Sequence, residues 1–520
     1  MAVATIADLD MPCFGQEAAA VTSDARASNR TASSPSGVTL AAGSGTHRTP
    51  AIKITLEMKM REDIIGSLLG DDDRIRQALP PKKPMFEPTR TARAVWIGSL
   101  ILGAAAIAEA QFDQYTSPGS LANEVNPRRQ RIEEGWEDAH WDFGNLRLDP
   151  RFEIRDLGYV DNVLSDFEGE EQVSDTRATV GAGLAAYWRA GNNLYATAFV
   201  APQYNWWLDL DSLRGLSVSG GVGVHAFFNQ LTFSIDGRTV EQEQPLNAEF
   251  EVPVEIKDES LGASLELDLS ERLSLVVGAS TTETRHGDEI DALVEGFEAR
   301  SLDRDVDRLR AGIGLALGSL VEIVLGVEDL QTDFLVDPAG RSSSGTDPFV
   351  DLRFEGNRLS AAVSSVIRNL DFAAAADPAL GDPASFEDTT GSLRIGIELS
   401  QNSTFYLYGG STLVYSALED STYLSEERLG GKFQVDLRSR LRSQLIAEFG
   451  DNEYTGLQDE LDRLDDFRTL GANLVFELGP SSALRFEVSE TRYDSNQPEF
   501  DRSATRISIE LVRGSGIIPY

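Results

Sequence analysis

Four histidines, His47, His140, His225 and His286, are the residues in this chain best suited to proton transfer or metal binding. They lie far apart, and no two have the spacing of a metal-ligand pair. His286-Gly287-Asp288 is the one local group that could contribute to a hydrolytic site, where histidine takes a proton from a nucleophile. A lone His-Gly-Asp more often marks a turn. Asp451-Asn452-Glu453-Tyr454-Thr455-Gly456, with Asp462 at the twelfth place, loosely follows the calcium-loop template. It departs at the last ligand, where Asp stands for the bidentate Glu, and no helical pattern flanks it. It therefore reads as an acidic connection. Gly220-Gly221-Val222-Gly223 lacks the strand–turn–helix setting of a phosphate loop and reads as strand, with glycine relieving crowding. The one cysteine, Cys13, leaves no disulfide framework and no thiolate metal site. No catalytic, cofactor or metal residue is assigned, and the chain is not expected to be an enzyme.

The surrounding elements are more informative. From Leu146 to Val512, apolar and polar residues alternate in segments of about eight to twelve residues. Leu146, Leu148, Phe152 and Ile154 share one parity; Arg147, Asp149, Arg151, Glu153 and Arg155 share the other. Leu470, Ala472, Leu474, Phe476 and Leu478 repeat the rule, as do Ile507, Ile509 and Leu511. Strand side chains alternate faces, so one face is oily and the other charged. The connections alternate too. Short ones such as Ala190–Asn193 and Gln401–Ser403 interleave with long ones such as Asn162–Ser174, Arg238–Glu259, Arg285–Asp307 and Ser416–Arg428. A meander of roughly 370 residues exceeds one soluble all-β domain. The expectation is a transmembrane antiparallel up-and-down β-barrel of about 18 strands (range ~16–20), with short periplasmic turns and long outer loops. Barrels of that size enclose an aqueous lumen unless a loop folds inward. Aromatics near segment ends, among them Tyr159, Tyr187, Trp188, Tyr204, Trp207, Phe227, Phe228, Tyr408, Tyr415 and Tyr493, are expected to form interfacial girdles.

The formal net charge is −38. A chain this acidic repels phosphate backbones, so nucleic acid is excluded as a partner. The acids concentrate in the long connections and read as solvated. The inward parity is mixed in sign; Arg147, Arg151, Glu153, Arg155 and Arg177 are the lumen-facing candidates. A mixed lining argues against a strongly ion-selective filter but not against a path for polar solutes.

The front of the chain divides by composition. Residues 1–84, Ala/Ser/Thr/Gly-rich at their start, read as a disordered or mis-annotated extension. Residues 85–110 read as a cleavable signal peptide, with Arg90 and Arg93, an apolar run, and Ala108-Glu109-Ala110 before Gln111. Residues 111–145 read as a polar periplasmic lead-in with a short helix around Arg131–Asp138; its polarity leaves open whether it plugs the pore. Residues 146–512 are the barrel, and 513–520 a tail ending in Tyr520.

The opening of the barrel, Leu146 to Val163, carries Gly158, Tyr159, Asp161 and Asn162. It resembles the start of outer-membrane β-barrel porins of Gram-negative bacteria, with Val160 departing from the usual pattern. Some members of that family are linked to exopolysaccharide export. The resemblance implies a passive outer-membrane conduit for polar solutes or a glycan chain and carries over no catalytic residue. The expected partners are outer-membrane lipid and glycolipid, the outer-membrane insertion machinery and the transported solute. Two alternatives remain: an anchor that displays acidic loops, and a barrel hydrolase using His286 and Asp288.

Overall fold

A computed structural model of the chain describes residues 117–514, except 124–126, 166–171, 248, 288–298, 376–382, 384, 418–420, 457–462 and 480. The expected extension, the signal peptide and most of the C-terminal tail lie outside the described residues. Among the described residues, one α-helix, α1 (Arg128–Asp138), and a two-residue strand, β1 (Trp141–Asp142), precede the barrel.

The first nine barrel strands are β2 (Leu146–Val160), β3 (Asp175–Ala190), β4 (Leu194–Trp207), β5 (Gly215–Phe227), β6 (Leu231–Pro245), β7 (Pro253–Ser270), β8 (Leu273–His286), β9 (Arg304–Ala316) and β10 (Val321–Phe334). The other nine are β11 (Ser343–Glu355), β12 (Leu359–Phe372), β13 (Phe386–Ser400), β14 (Ser403–Tyr415), β15 (Ser421–Arg438), β16 (Leu441–Gly456), β17 (Leu464–Gly479), β18 (Ser482–Ser495) and β19 (Arg502–Arg513). Each pairs antiparallel with the next, and β19 closes on β2 from Arg506↔Val160 to Arg513↔Phe152. The result is a closed 18-strand barrel. Closure satisfies backbone hydrogen bonds within the wall, as a bilayer requires of a spanning sheet.

The period-two pattern sets the two faces. On β17, Leu470 is 55% exposed while its neighbour Thr469 is 1% exposed. Leu261, Leu309, Ile313, Phe449 and Ile507 are likewise large, apolar and exposed. Together they form a belt that only hydrocarbon would cover favourably. Toward the long-connection end the same outward positions turn charged. Leu261 is followed by Glu259 and Lys257, Phe449 by Asp451 and Glu453, and Leu470 by Arg468 and Asp466.

Two expectations need correction. Arg238–Glu259 is not a long loop, because β6 and β7 continue as a paired hairpin to Pro245↔Pro253. Ser416–Arg428 is shortened in the same way by β15, which begins at Ser421. A ladder can continue beyond the membrane on polar side chains, so polarity alone does not mark a loop. The aromatic girdle also loses members. Trp188, Tyr204, Tyr159 and Phe228 are exposed on the outer face, whereas Tyr187, Trp207, Phe227, Tyr408, Tyr415 and Tyr493 are buried within the barrel.

Strand β2 breaks its own alternation. Asp156 has φ 54°, and the register shifts between Arg155 and Gly158. The outward face therefore passes from Phe152 to Leu157 and Tyr159, all exposed. Gly158 is required at this bulge, because a Cβ there would lie 1.8 Å from the Ile507 carbonyl oxygen.

Candidate functional site: the lumen and the segments that fill it

All five lumen candidates enter ion pairs, with partners on β1, β2 or β6; Arg147 pairs with Asp142 at 3.1 Å. Arg151 Nη2 lies 2.6 Å from Glu153 Oε2, and Arg155 Nε 3.4 Å from Glu153 Oε1. Arg155 also donates to Gln203. Arg177 pairs with Asp156 at 3.2 Å and reaches Glu243 at 3.6 Å. Arg147 donates to the Trp136 carbonyl at 2.7 Å and lies 4.8 Å over the Trp136 ring, so it faces the lead-in segment. Of the barrel-opening motif, Gly158 sits at the bulge and Tyr159 points outward. Asn162 Nδ2 donates to the Ser503 carbonyl, and Asp161 accepts from the Thr505 amide. These last contacts tie β2 to β19 at the closure seam.

The lead-in touches inward side chains on both sides of the ring. Near its described start, the Gly119 amide donates to Glu448, and the Ala122 carbonyl accepts from Arg394 Nε at 3.0 Å. Asn123 Oδ1 accepts from Lys432 Nζ at 2.9 Å. Those partners lie on β13, β15 and β16. Helix α1 instead packs on β3–β6. Ile132 is fully buried with Tyr195 and Phe227, and Trp136 packs with Ala185 and Tyr187. Arg128 pairs with Asp236 at 2.8 Å. The fit at Gly135 leaves no spare room, since a Cβ there would stand 2.3 Å from Tyr187 Oη. The two described parts of the segment thus contact different walls of the barrel interior.

A second segment enters from the long-connection end. β5 and β6 pair only from Gly220↔Thr239 to Phe227↔Thr232. Beyond that point β5 stays with β4 and β6 stays with β7, so the β6–β7 hairpin leaves the wall and leans inward. Trp207 Nε1 donates to Glu243 Oε2 at 3.1 Å, and the Glu241 amide donates to Ser219 Oγ at 3.2 Å. At the hairpin tip, Leu246, Asn247 and Glu249 are each 0% exposed. Asn247 Nδ2 donates to the Tyr415 carbonyl at 3.3 Å. Glu249 accepts from Ser416 Oγ at 3.0 Å and from the Ala417 amide at 2.9 Å. Glu251 accepts from Tyr493 Oη at 3.0 Å and pairs with Arg506 at 2.8 Å. Leu246 and Val252 join Leu330, Phe334, Leu370, Leu413 and Tyr415 in one apolar cluster fed from around the ring. An apolar core inside the mouth of a barrel excludes water there.

Burial pushes the Glu249 carboxyl above the ordinary carboxylate range; Arg463, the Ala417 amide, Ser416 and Arg502 oppose the shift. Elsewhere the lining includes paired charges. Arg368, its side chain 2% exposed, spans Glu328 at 2.7 Å and Asp347 at 3.1 Å. Arg310 reaches Glu328 at 3.4 Å and Asp351 at 3.0 Å. Arg428 reaches Glu426 at 2.6 Å and Glu448 at 3.1 Å. Alternation predicts that such charges face inward. It gives no cross-strand register, so the partners were not legible.

The chemical candidates disperse. His225 sits between Thr197 Oγ1 and Ser234 Oγ, each at 3.1 Å. His286 Nδ1 lies 3.0 Å from Asp303 Oδ1, and Asp288 falls outside the described residues. Asp451–Gly456 is the end of strand β16, with Asp451 and Asn452 on opposite faces, and Asp462 falls outside the described residues. Among the described residues no group of three His, Cys, Asp or Glu could hold a metal.

No family model matches the chain, and no curated protein matches it. Solved structures do. OccAB3 of Acinetobacter baumannii is similar at 12% identity and TM-score 0.42, over 71% of this chain and 99% of that one. The outer membrane protein opdK of Pseudomonas aeruginosa is similar at 10% identity and TM-score 0.42, over 71% and 98%. The FrpB iron transporter of Neisseria meningitidis is similar at 7% identity and TM-score 0.39, over 70% and 64%.

Proposed function

We propose that this chain is an outer-membrane channel for small polar solutes, held closed by two segments of its own polypeptide. The closed 18-strand wall with an apolar outer belt supports placement in a membrane. The paired charges of the inner face support a polar route, because balanced lining charge favours neither ion sign strongly. The observation that carries the reading is the β6–β7 hairpin tip, buried across the mouth against Tyr415–Ala417. Glu249 is an expensive residue to bury for structure alone, and it fits a closure that is reversible. Outer-membrane lipid and glycolipid are the surroundings proposed for the belt, and the outer-membrane insertion machinery the route into it. A glycan chain would take the same path but needs both the hairpin and the lead-in displaced.

The test is conductance of the purified chain in planar bilayers, alone and with residues 246–252 replaced by a two-residue turn. Brief or small events in the parent chain and large steady steps in the shortened one support the channel. Silence in both, with heat-modifiable gel mobility showing folded barrels, favours the second reading, a surface anchor. The apolar cluster filling the mouth is what supports that alternative.

A further inference from the structure

The inward lean of the β6–β7 hairpin leaves a mark on the lipid side of the wall. Where β6 parts from β5, beyond Gly220↔Thr239, the outer surface drops into a cleft of about 760 Å³. That volume lies within the ~300–1,000 Å³ typical of small-molecule sites. The cleft walls include Leu184, Val200, Val222 and Leu261, all exposed members of the apolar belt. Its inner end is formed by Arg238, from the inward face of β6. Glycines keep the fork clear. A Cβ on Gly221 would stand 2.7 Å from the Phe199 ring, and Gly220 has only the Phe199 carbonyl oxygen within 4 Å of an added Cβ.

The two carboxylates of the cleft wall find cations other than Arg238. Glu259 is paired with Lys257 at 2.6 Å, and Glu283 shares Arg285 with Asp305, at 3.3 Å and 2.7 Å. Arg238 Nε donates to Ser260 Oγ at 3.1 Å, and among the described residues no carboxylate pairs with it. Nearby arginines differ: Arg128 of α1 holds Asp236, and Arg177 of the lining holds Asp156. An uncompensated guanidinium at the end of an apolar groove attracts a planar anion by bidentate hydrogen bonding. A neutral lipid tail would satisfy the walls and leave the guanidinium unmet. A small soluble anion would satisfy the guanidinium and leave the walls wet.

We propose that this cleft binds a single-chain amphiphile with a carboxylate head, its hydrocarbon chain against Val200, Val222 and Leu261 and its head at Arg238. The site opens to the bilayer at one end and reaches inward-facing residues at the other, so it gives such a molecule a lateral way between membrane and barrel interior. The proposal does not depend on whether the lumen conducts.

The experiment is a titration of the full chain, in neutral detergent, with the fluorescent fatty acid cis-parinarate, and displacement by oleate or by oleyl alcohol. The expected result is saturable binding, displaced by oleate at least tenfold more effectively than by the alcohol. Arg238→Gln should weaken binding at least tenfold. Gly220→Trp and Val222→Trp, which fill the cleft from the lipid side, should do the same with heat-modifiable mobility retained. Equal displacement by acid and alcohol, or binding unchanged in Arg238→Gln and in both tryptophan variants, would overturn the proposal by showing simple partition into the belt. Val222→Trp stands in for Gly220→Trp should the glycine variant fail to fold.

Discussion

Glu249, at the tip of the β6–β7 hairpin, accepts hydrogen bonds from Ser416 Oγ and the Ala417 amide across the mouth of the barrel, and none of its surface is exposed. Two neighbouring strands thereby reach a connection on the far side of the ring.

Closure should weaken as pH rises. The Glu249 pKa is raised in the closed state, chiefly by burial, with Arg463 and Arg502 opposing. A raised carboxyl pKa contributes stability that is complete below the unpacked value of about 4.3 and is lost as pH rises through the closed-state value. Open probability in bilayers should therefore increase with pH across that window. Glu249→Gln should hold the channel closed and flatten the profile. An unchanged pH dependence in Glu249→Gln would assign the closure to other groups.

Helix α1 should detach when Gly135 gains a side chain. Gly135→Leu forces atoms onto Tyr187 Oη, an overpacking that costs about 1–3 kcal/mol. The expected readout is faster tryptic cleavage at Arg128–Arg131, with the barrel intact by heat-modifiable mobility. Gly135→Leu combined with Tyr187→Ala should restore protection. Protection equal to that of the parent chain in the single variant would show that α1 is not packed against β3.

Removing Arg368 should be costly in a way that removing Arg353 is not. Arg368 neutralises Glu328 and Asp347 almost out of solvent, and loss of one partner from such a network costs about 3–5 kcal/mol. Arg353 pairs with the exposed Glu355, where about 0–1 kcal/mol is expected. Arg368→Ala should lower the unfolding temperature in heat-modifiability gels well below that of Arg353→Ala. Equal temperatures would mean that water reaches the Arg368 site.

The outer belt predicts a depth dependence. Leu470→Arg places charge in the apolar band and should cost about 2–4 kcal/mol in vesicle folding titrations, whereas Asp466→Arg, beyond the band, should cost about 0–1 kcal/mol. Similar costs at both positions would place the membrane elsewhere on the wall.

The wall was legible in the sequence because period two is a local property: Leu470 against Thr469 can be read from adjacent letters. The strand number and antiparallel order followed from the same pattern. What filled the barrel was not legible. The β6–β7 hairpin is polar from Glu241 to Gln244, as a solvated loop would be, and only its pairing to Pro245↔Pro253 reveals a strand. The aromatic residues assigned to girdles had the right spacing, but Tyr187 and Phe227 lie on the inner face, where they receive Trp136 and Ile132. Gly135 beside Trp136 gave a faint sign of close packing on α1. Nothing local could show that its partner was Tyr187. The Asp303 partner of His286 was not legible, because it lies 17 residues along the chain and only the fold brings the two together.

The most direct measurement is single-channel conductance of the parent chain beside the variant in which a two-residue turn replaces residues 246–252. A channel closed by its own hairpin gives small or rare openings in the parent and large, long-lived steps in the variant at the same voltage and salt. Identical large steps in both would contradict the closure, and silence in both with folded barrels would contradict the channel.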